Sequence, residues 1–159
     1  MRRYIQILLA TAALSTEALA VDYQFETVAQ GFDGPWSVAF LPDGDLLVTE
    51  RKGQLRRVSP DGKIGEPIAG VPQVFFAGQG GLHDIVLHPQ FSQNKTIYLS
   101  YAEGSARENG TAVARAVLGS NSLESLRVIY RVSPRKDTPV HYGARMAFMA
   151  DGTLLLTTG

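Results

Sequence analysis

Cysteine is absent from this 159-residue chain, which excludes disulfide bracing and thiolate metal sites. Charge of one sign is absent too: 15 basic residues face 15 acidic ones, so nothing electrostatic points to nucleic acid or an anionic membrane as a partner. Helical periodicity is missing beyond residue 20 except for one possible turn at residues 122–126. No apolar run is long enough for a stable bilayer span. The longest, residues 5–14, is about ten residues, against the roughly 20 that a crossing helix needs.

That short run has a different reading. Arg2 and Arg3 precede it and Ala18-Leu19-Ala20 follows it, so residues 1–20 read as a cleaved secretory signal and the protein as periplasmic or secreted, with no membrane span left after cleavage. Arg2-Arg3 alone is too common a start to indicate the twin-arginine route. Cleavage removes Arg2, Arg3 and Glu17, leaving 13 basic and 14 acidic residues, a net charge of −1. The remaining residues, 21–159, suffice for one domain core, held by burial alone.

What is present is turn chemistry between short β-type runs. Residues 21–28 alternate loosely and predict a strand. Strands follow at residues 36–40, 46–50 and 54–58, each followed by a turn, Pro42-Asp43-Gly44, Arg51-Lys52-Gly53 and Pro60-Asp61-Gly62 in order; Asp-Gly between apolar runs is a strong hairpin signal. Residues 104–110 read as a polar loop, 111–118 and 126–132 as strands, and 134–139 as an extended connector between two prolines.

The pattern repeats. Ala39-Phe40-Leu41-Pro42-Asp43 is echoed by Val86-Leu87-His88-Pro89-Gln90 and by Ala147-Phe148-Met149-Ala150-Asp151, each followed by a turn and an apolar strand. The steps, 47 and 61 residues, are close to the length of a four-stranded propeller blade. The fold class is therefore all-β, a β-propeller, of which the sequence supplies about two blades and the start of a third. Such units bury their faces only against neighbours, so the chain is expected to be the N-terminal part of a longer propeller.

Chemistry-bearing residues are few. Residues 78–89 carry His83 and His88, five apart; on a strand an odd separation places them on opposite faces, so they do not share a metal, and no metal ligand is assigned. Gln79, between Gly78 and Gly80, is an uncharged donor and acceptor where backbone can approach a ligand, or a solvated loop residue. His141, after the proline-bounded connector, has an imidazole suited to general-base work, or is held in a turn. Arg145, four residues on, shares the strand face of His141 and pairs with an anion, Asp151 or a carbonyl.

Several linked motifs resemble one family. They are Gly31-Phe32-x-x-Pro35-Trp36-Ser37-Val38-Ala39-Phe40-Leu41-Pro42-Asp43-Gly44, Leu47-Val48-Thr49-Glu50-Arg51, Gly78-Gln79-Gly80-Gly81-Leu82, His88-Pro89-x-Phe91 and His141-Tyr142-Gly143-Ala144-Arg145-Met146-Ala147-Phe148. Together they resemble the soluble quinone-dependent glucose/sorbosone dehydrogenases. The resemblance implies a six-bladed periplasmic propeller that binds pyrroloquinoline quinone (PQQ) and calcium over its central channel and oxidises an aldose. It places the catalytic base on His141, which takes the anomeric hydroxyl proton while hydride passes to the quinone, and a substrate- or cofactor-holding amide on Gln79. Quinone contacts and calcium ligands are expected beyond residue 159, so this chain alone is expected to be inactive. Val140 stands where relatives carry an acidic or amide residue, which leaves the sugar open; the sequence names no electron acceptor either. A non-catalytic propeller that binds a carbohydrate or protein is the alternative from another class.

Overall fold

The computed structural model describes residues 23–159; the signal-peptide reading of residues 1–20 lies outside them. Ten strands and one short helix follow in order: β1 (Pro35–Phe40), β2 (Leu46–Glu50), β3 (Gln54–Val58), β4 (Ile64–Pro67), β5 (Leu82–Leu87), α1 (Phe91–Asn94), β6 (Thr96–Ser105), β7 (Glu108–Leu118), β8 (Leu123–Arg131), β9 (Gly143–Phe148) and β10 (Leu154–Thr158). They form two four-stranded antiparallel meanders, β1-β2-β3-β4 and β5-β6-β7-β8, and the hairpin β9-β10. These are two complete propeller blades and the opening half of a third.

The repeated corner is real in three dimensions. In the first blade Gly44 N–H bonds Leu41 O at 3.0 Å and Leu41 N–H bonds Asp45 O at 2.8 Å; in the third, Gly152 bonds Met149 O at 3.0 Å and Met149 bonds Thr153 O at 2.9 Å. The second copy keeps the closing bond, His88 N–H to Thr96 O at 2.9 Å, but inserts α1. No helix was expected there. Four residues carry no detectable 3.6-residue period, whereas the helical turn expected at residues 122–126 is instead the start of β8, with Ser125 at φ 51°.

Two further expectations fail for physical reasons. Residues 23–28 form no strand, and Tyr23 and Phe25 stand exposed; alternation makes a strand only where a neighbour accepts its hydrogen bonds. The loop expected at residues 104–110 is a tight hairpin, because β6 runs to Ser105 and β7 starts at Glu108. Gly104 has φ 120° and a Cβ there would lie 2.1 Å from Glu108 O. Its glycine marks close backbone approach inside a ladder, not a loop.

One hydrophobic cluster runs through both blades: Leu47, Leu55 and Ile68 of the first meet Leu82, Ile85, Ile97, Leu99 and Tyr101 of the second. Full burial of a leucine or isoleucine contributes roughly 1.5–3 kcal/mol. The first strands of successive blades, β1, β5 and β9, lie side by side. Each carries a register shift at the same place, between Pro35 and Ser37, between Leu82 and Ile85, and opposite Leu156–Thr158. Such bulges re-aim the side chains beside them.

Polar groups stitch the blades together at this inner edge. Asp84, 1% exposed, accepts Ser37 Oγ from the first blade at 2.6 Å on Oδ1 and Met146 N–H from the third at 2.7 Å on Oδ2. Arg145 Nε lies 3.5 Å from the same Oδ2. Hydroxyls repeat the pattern: Thr49 donates to His83 O at 2.6 Å, Ser100 to Ala144 O at 2.5 Å and Thr111 to Tyr142 O at 2.7 Å.

Removing this carboxylate leaves a buried hydroxyl and a buried amide unpaired. Asp84→Ala is expected to lose on the order of 3 kcal/mol of unfolding free energy, with Asp84→Asn losing less because it keeps one acceptor; urea denaturation of the two variants against wild type measures both.

Candidate active site

A cleft opens where β1, β5 and the approach to β9 converge, with Gln79 but neither His141 nor Arg145 in its lining. It encloses about 350 Å³ and is lined by Trp36, Arg51, Gln79, His83, Tyr142 and Gly143. Trp36 and His83 stand at the bulges of β1 and β5. Gln79 comes from the glycine loop before β5, and Arg51 from the turn after β2.

The glycine loop is held from beneath by its main-chain carbonyls. Arg51 Nη2 donates to Gly78 O and to Gly80 O, the latter at 3.0 Å, and His83 Nε2 donates to Gln79 O at 3.0 Å. Leu82 N–H bonds Arg51 O at 2.9 Å, and a Cβ on Gly81 would come within 2.2 Å of that oxygen. Only glycine lets the loop lie this close to the Arg51 backbone.

His83 is 2% exposed and wedged between rings, 5.2 Å from Trp36 and 5.6 Å from Tyr142. A carbonyl only accepts, so Nε2 carries the hydrogen and Nδ1 holds a buried lone pair with no partner among the described residues. Burial holds its pKa below the ordinary 6.5, helped by the Arg51 charge and opposed by the Gln79 carbonyl and Asp84. The imidazole is therefore neutral at pH 7. Burial also raises the Tyr142 phenol above its usual value, and its hydroxyl donates to Asn109 Oδ1 at 2.7 Å.

Gln79 and His141, 62 residues apart, are brought into direct contact. Gln79 Oε1 accepts the His141 backbone N–H at 2.8 Å, while Gln79 N–H bonds Pro139 O at 2.8 Å. His141 adopts the left-handed φ of 58° and is exposed. Among the described residues its ring takes part in no hydrogen bond or ion pair, and only its main chain is bonded.

Arg145 is not brought into this group. The left-handed backbone at His141 and Ala144 (φ 79°) breaks the parity that would have aligned the two. Arg145 lies instead over Trp36, 5.7 Å from its centroid, and beside Asp84, lining a separate cleft of about 300 Å³ with Pro35, Ser37 and Val48. Its acidic partner is Asp84, not Asp151.

His88 sits at the other end of β5, where its Nδ1 accepts from Gln90 N–H at 3.0 Å and Asn94 Nδ2 at 2.9 Å, and its ring packs against Tyr98 and Phe148. It is a packing residue. His83, to which the sequence assigned no site role, forms the cleft floor. Trp36, Arg51 and Tyr142 also escaped sequence reasoning as site residues, although all three fall inside the quoted motifs. Among the described residues no group of three or more histidines and carboxylates could hold a metal, and no helix is long and apolar enough to cross a membrane.

Comparison with known proteins fits this geometry. Residues 32–159 match the family described as Glucose / Sorbosone dehydrogenase. The aldose sugar dehydrogenase YliI of Escherichia coli is 38% identical over 138 residues, which cover 84% of this chain and 37% of that protein. A crystal structure of glucose dehydrogenase superposes with a TM-score of 0.78 at 42% identity, covering 81% of this chain and 39% of that one. The PQQ-bound form of the aldose sugar dehydrogenase from Streptomyces coelicolor gives 0.73 at 31% identity, with 84% and 40% covered. The chain spans about two fifths of the length of these relatives.

The His83 environment has a pH consequence. Its folded pKa lies below the unfolded value, so as pH falls through about 6.5 the unfolded chain binds a proton that the folded chain resists. Stability from this site is present above that pH and lost below it. His83→Phe, which keeps a ring in the same packing, should flatten the acid limb of stability between pH 7 and 5, and the His83 ring resonances in wild type should titrate below 6.5 by NMR.

Proposed function

The chain belongs to the Glucose / Sorbosone dehydrogenase family, and on that premise we propose that it forms the N-terminal blades of an exported, PQQ-dependent aldose dehydrogenase in which His141 is the general base. The observation that carries this reading is the Gln79–His141 contact at 2.8 Å, beside a cleft walled by Trp36, Tyr142 and Arg51. Two residues singled out for the same chemistry, far apart in sequence, meet at one site. Relatives named as aldose sugar and glucose dehydrogenases, one of them PQQ-bound, support the substrate class and the cofactor.

The donors present suit a planar, multiply carboxylated quinone in part. Trp36 and Tyr142 offer aromatic faces, and Arg51 offers a guanidinium whose Nε is buried without a partner among the described residues, its Nη2 being bonded to the glycine loop. Both features match a flat anion. When bound, PQQ supplies the two-electron sink for the hydride that leaves the anomeric carbon. The chain's own part is proton chemistry and placement: the free His141 imidazole takes the anomeric hydroxyl proton as that C–H bond breaks, and the sugar leaves as its lactone. Arg145 is assigned to the rim of the neighbouring cleft, its charge offset by Asp84.

Calcium finds no cluster of ligands among the described residues, and we place its ligands, with the remaining quinone contacts, in blades after residue 159. The electron acceptor that reoxidises the quinol belongs to the partners of the whole protein. Residues 1–20, as an export signal, put the reaction in the periplasm or outside the cell.

The test uses the protein extended by its following blades, loaded with PQQ and calcium, and follows dye reduction with a panel of aldoses. His141→Ala should lower kcat by about 10²–10⁴-fold, and residues 21–159 alone should show no turnover. Full activity in His141→Ala would remove the base assignment. Sugar binding without PQQ binding or turnover would favour a non-catalytic propeller.

A further inference from the structure

His141 is held at both of its peptide groups. Its N–H is bonded by Gln79 Oε1 at 2.8 Å, and its carbonyl accepts from Lys136 Nζ. A non-glycine residue at φ 58° is intrinsically disfavoured, so something outside the residue must fix it there. The two side chains do so from opposite sides, and each is itself anchored. Gln79 is fixed through its own N–H to Pro139 O and through its carbonyl to His83. Lys136 is paired by backbone with Asn109 in both directions, at 2.8 and 2.9 Å, and its ammonium lies 4.5 Å over the Tyr142 ring. Asn109 in turn accepts the Tyr142 hydroxyl at 2.7 Å.

The loop that carries Gln79 and the connector that carries Lys136 thus converge on a single residue whose imidazole they leave untouched. We infer that Gln79 and Lys136 are positioning residues, a pincer on the His141 main chain that sets the direction of its free ring. This rests on the reading of His141 as the base, and it changes the part played by Gln79. The amide oxygen belongs to His141, so only its NH₂ group remains for a ligand. Lys136 acquires a role that no motif indicated.

The full-length protein tests this in two ways, one of them independent of turnover. Amide hydrogen exchange at His141, read by NMR, should accelerate roughly tenfold in Gln79→Ala, the loss of one hydrogen bond. Gln79→Glu, which keeps the acceptor oxygen and loses the NH₂, should retain the protection. In the loaded enzyme Lys136→Met, which removes the ammonium and keeps the stem, should lower kcat severalfold with KM unchanged, and Lys136→Arg should restore most of it, the pattern of a misaimed base and not of lost binding. Equal exchange at His141 in wild type and Gln79→Ala, or a kcat untouched by Lys136→Met, would overturn the pincer. Neither result depends on the outcome for His141→Ala: if that variant kept its activity, the base reading would fail while the exchange data still decided whether Gln79 holds the peptide.

Discussion

A buried carboxylate holds the inner edge of this structure together. Asp84 is nearly inaccessible, and its two oxygens reach into the blades on either side, to Ser37 and to Met146. Isolated, such an ion would be costly to bury; fully bonded, it forces three strands into one relative position. The bulges of β1, β5 and β9 bring the partner groups within range, and the same bulges aim Trp36 and His83 at the cleft. Site and stitch are thus two sides of one backbone irregularity. The residue immediately before Asp84 is the cleft floor.

The cleft is built by satisfying backbone first. Arg51 and His83 occupy the carbonyls of three consecutive loop residues, and Gln79 and Lys136 occupy the peptide groups of His141. Among the described residues the His141 imidazole is left without a hydrogen-bond partner. Under the base role proposed for His141, such preorganisation removes the need for reorientation when charge develops. His83 contributes by staying neutral, so it adds no second positive charge beside Arg51.

Much of this was legible in the sequence. Leu46–Glu50 and Gln54–Val58 have the boundaries that the Asp-Gly and Lys-Gly turns indicate, and the thrice-repeated corner reported the blade repeat, since turn chemistry is local and survives averaging over tertiary context. Gln79 and His141 were open by residue type alone, and only the family motifs that contain them set them apart. What escaped was set at a distance. The alternation of residues 23–28 joins no ladder among the described residues, and glycines at 104 and 110 mark crowding that only the fold creates. His83 and His88 are kept apart by lying at opposite ends of β5, across a bulge that strand parity ignores, and parity placed Arg145 with His141 wrongly because β9 begins only at Gly143 and positive φ angles at Gly143 and Ala144 lie between them. Arg51 and Lys136 look like ordinary surface cations until the carbonyls they meet are known.

The hydroxyl contacts between blades have a direction. Thr49 in β2 reaches forward to His83 O in β5, and Ser100 in β6 reaches forward to Ala144 O in β9. Each blade offers its second strand to the first strand of its successor, a heterologous joint of the kind that makes rings when the rotation closes and open spirals when it does not. Coupling across each joint is reciprocal, and each blade's first strand depends on a hydroxyl of the blade before it. Exchanging Thr49 for an aliphatic residue loosens the His83 peptide and the floor of the cleft in the next blade, so the accuracy of the site depends on a hydroxyl that never touches it.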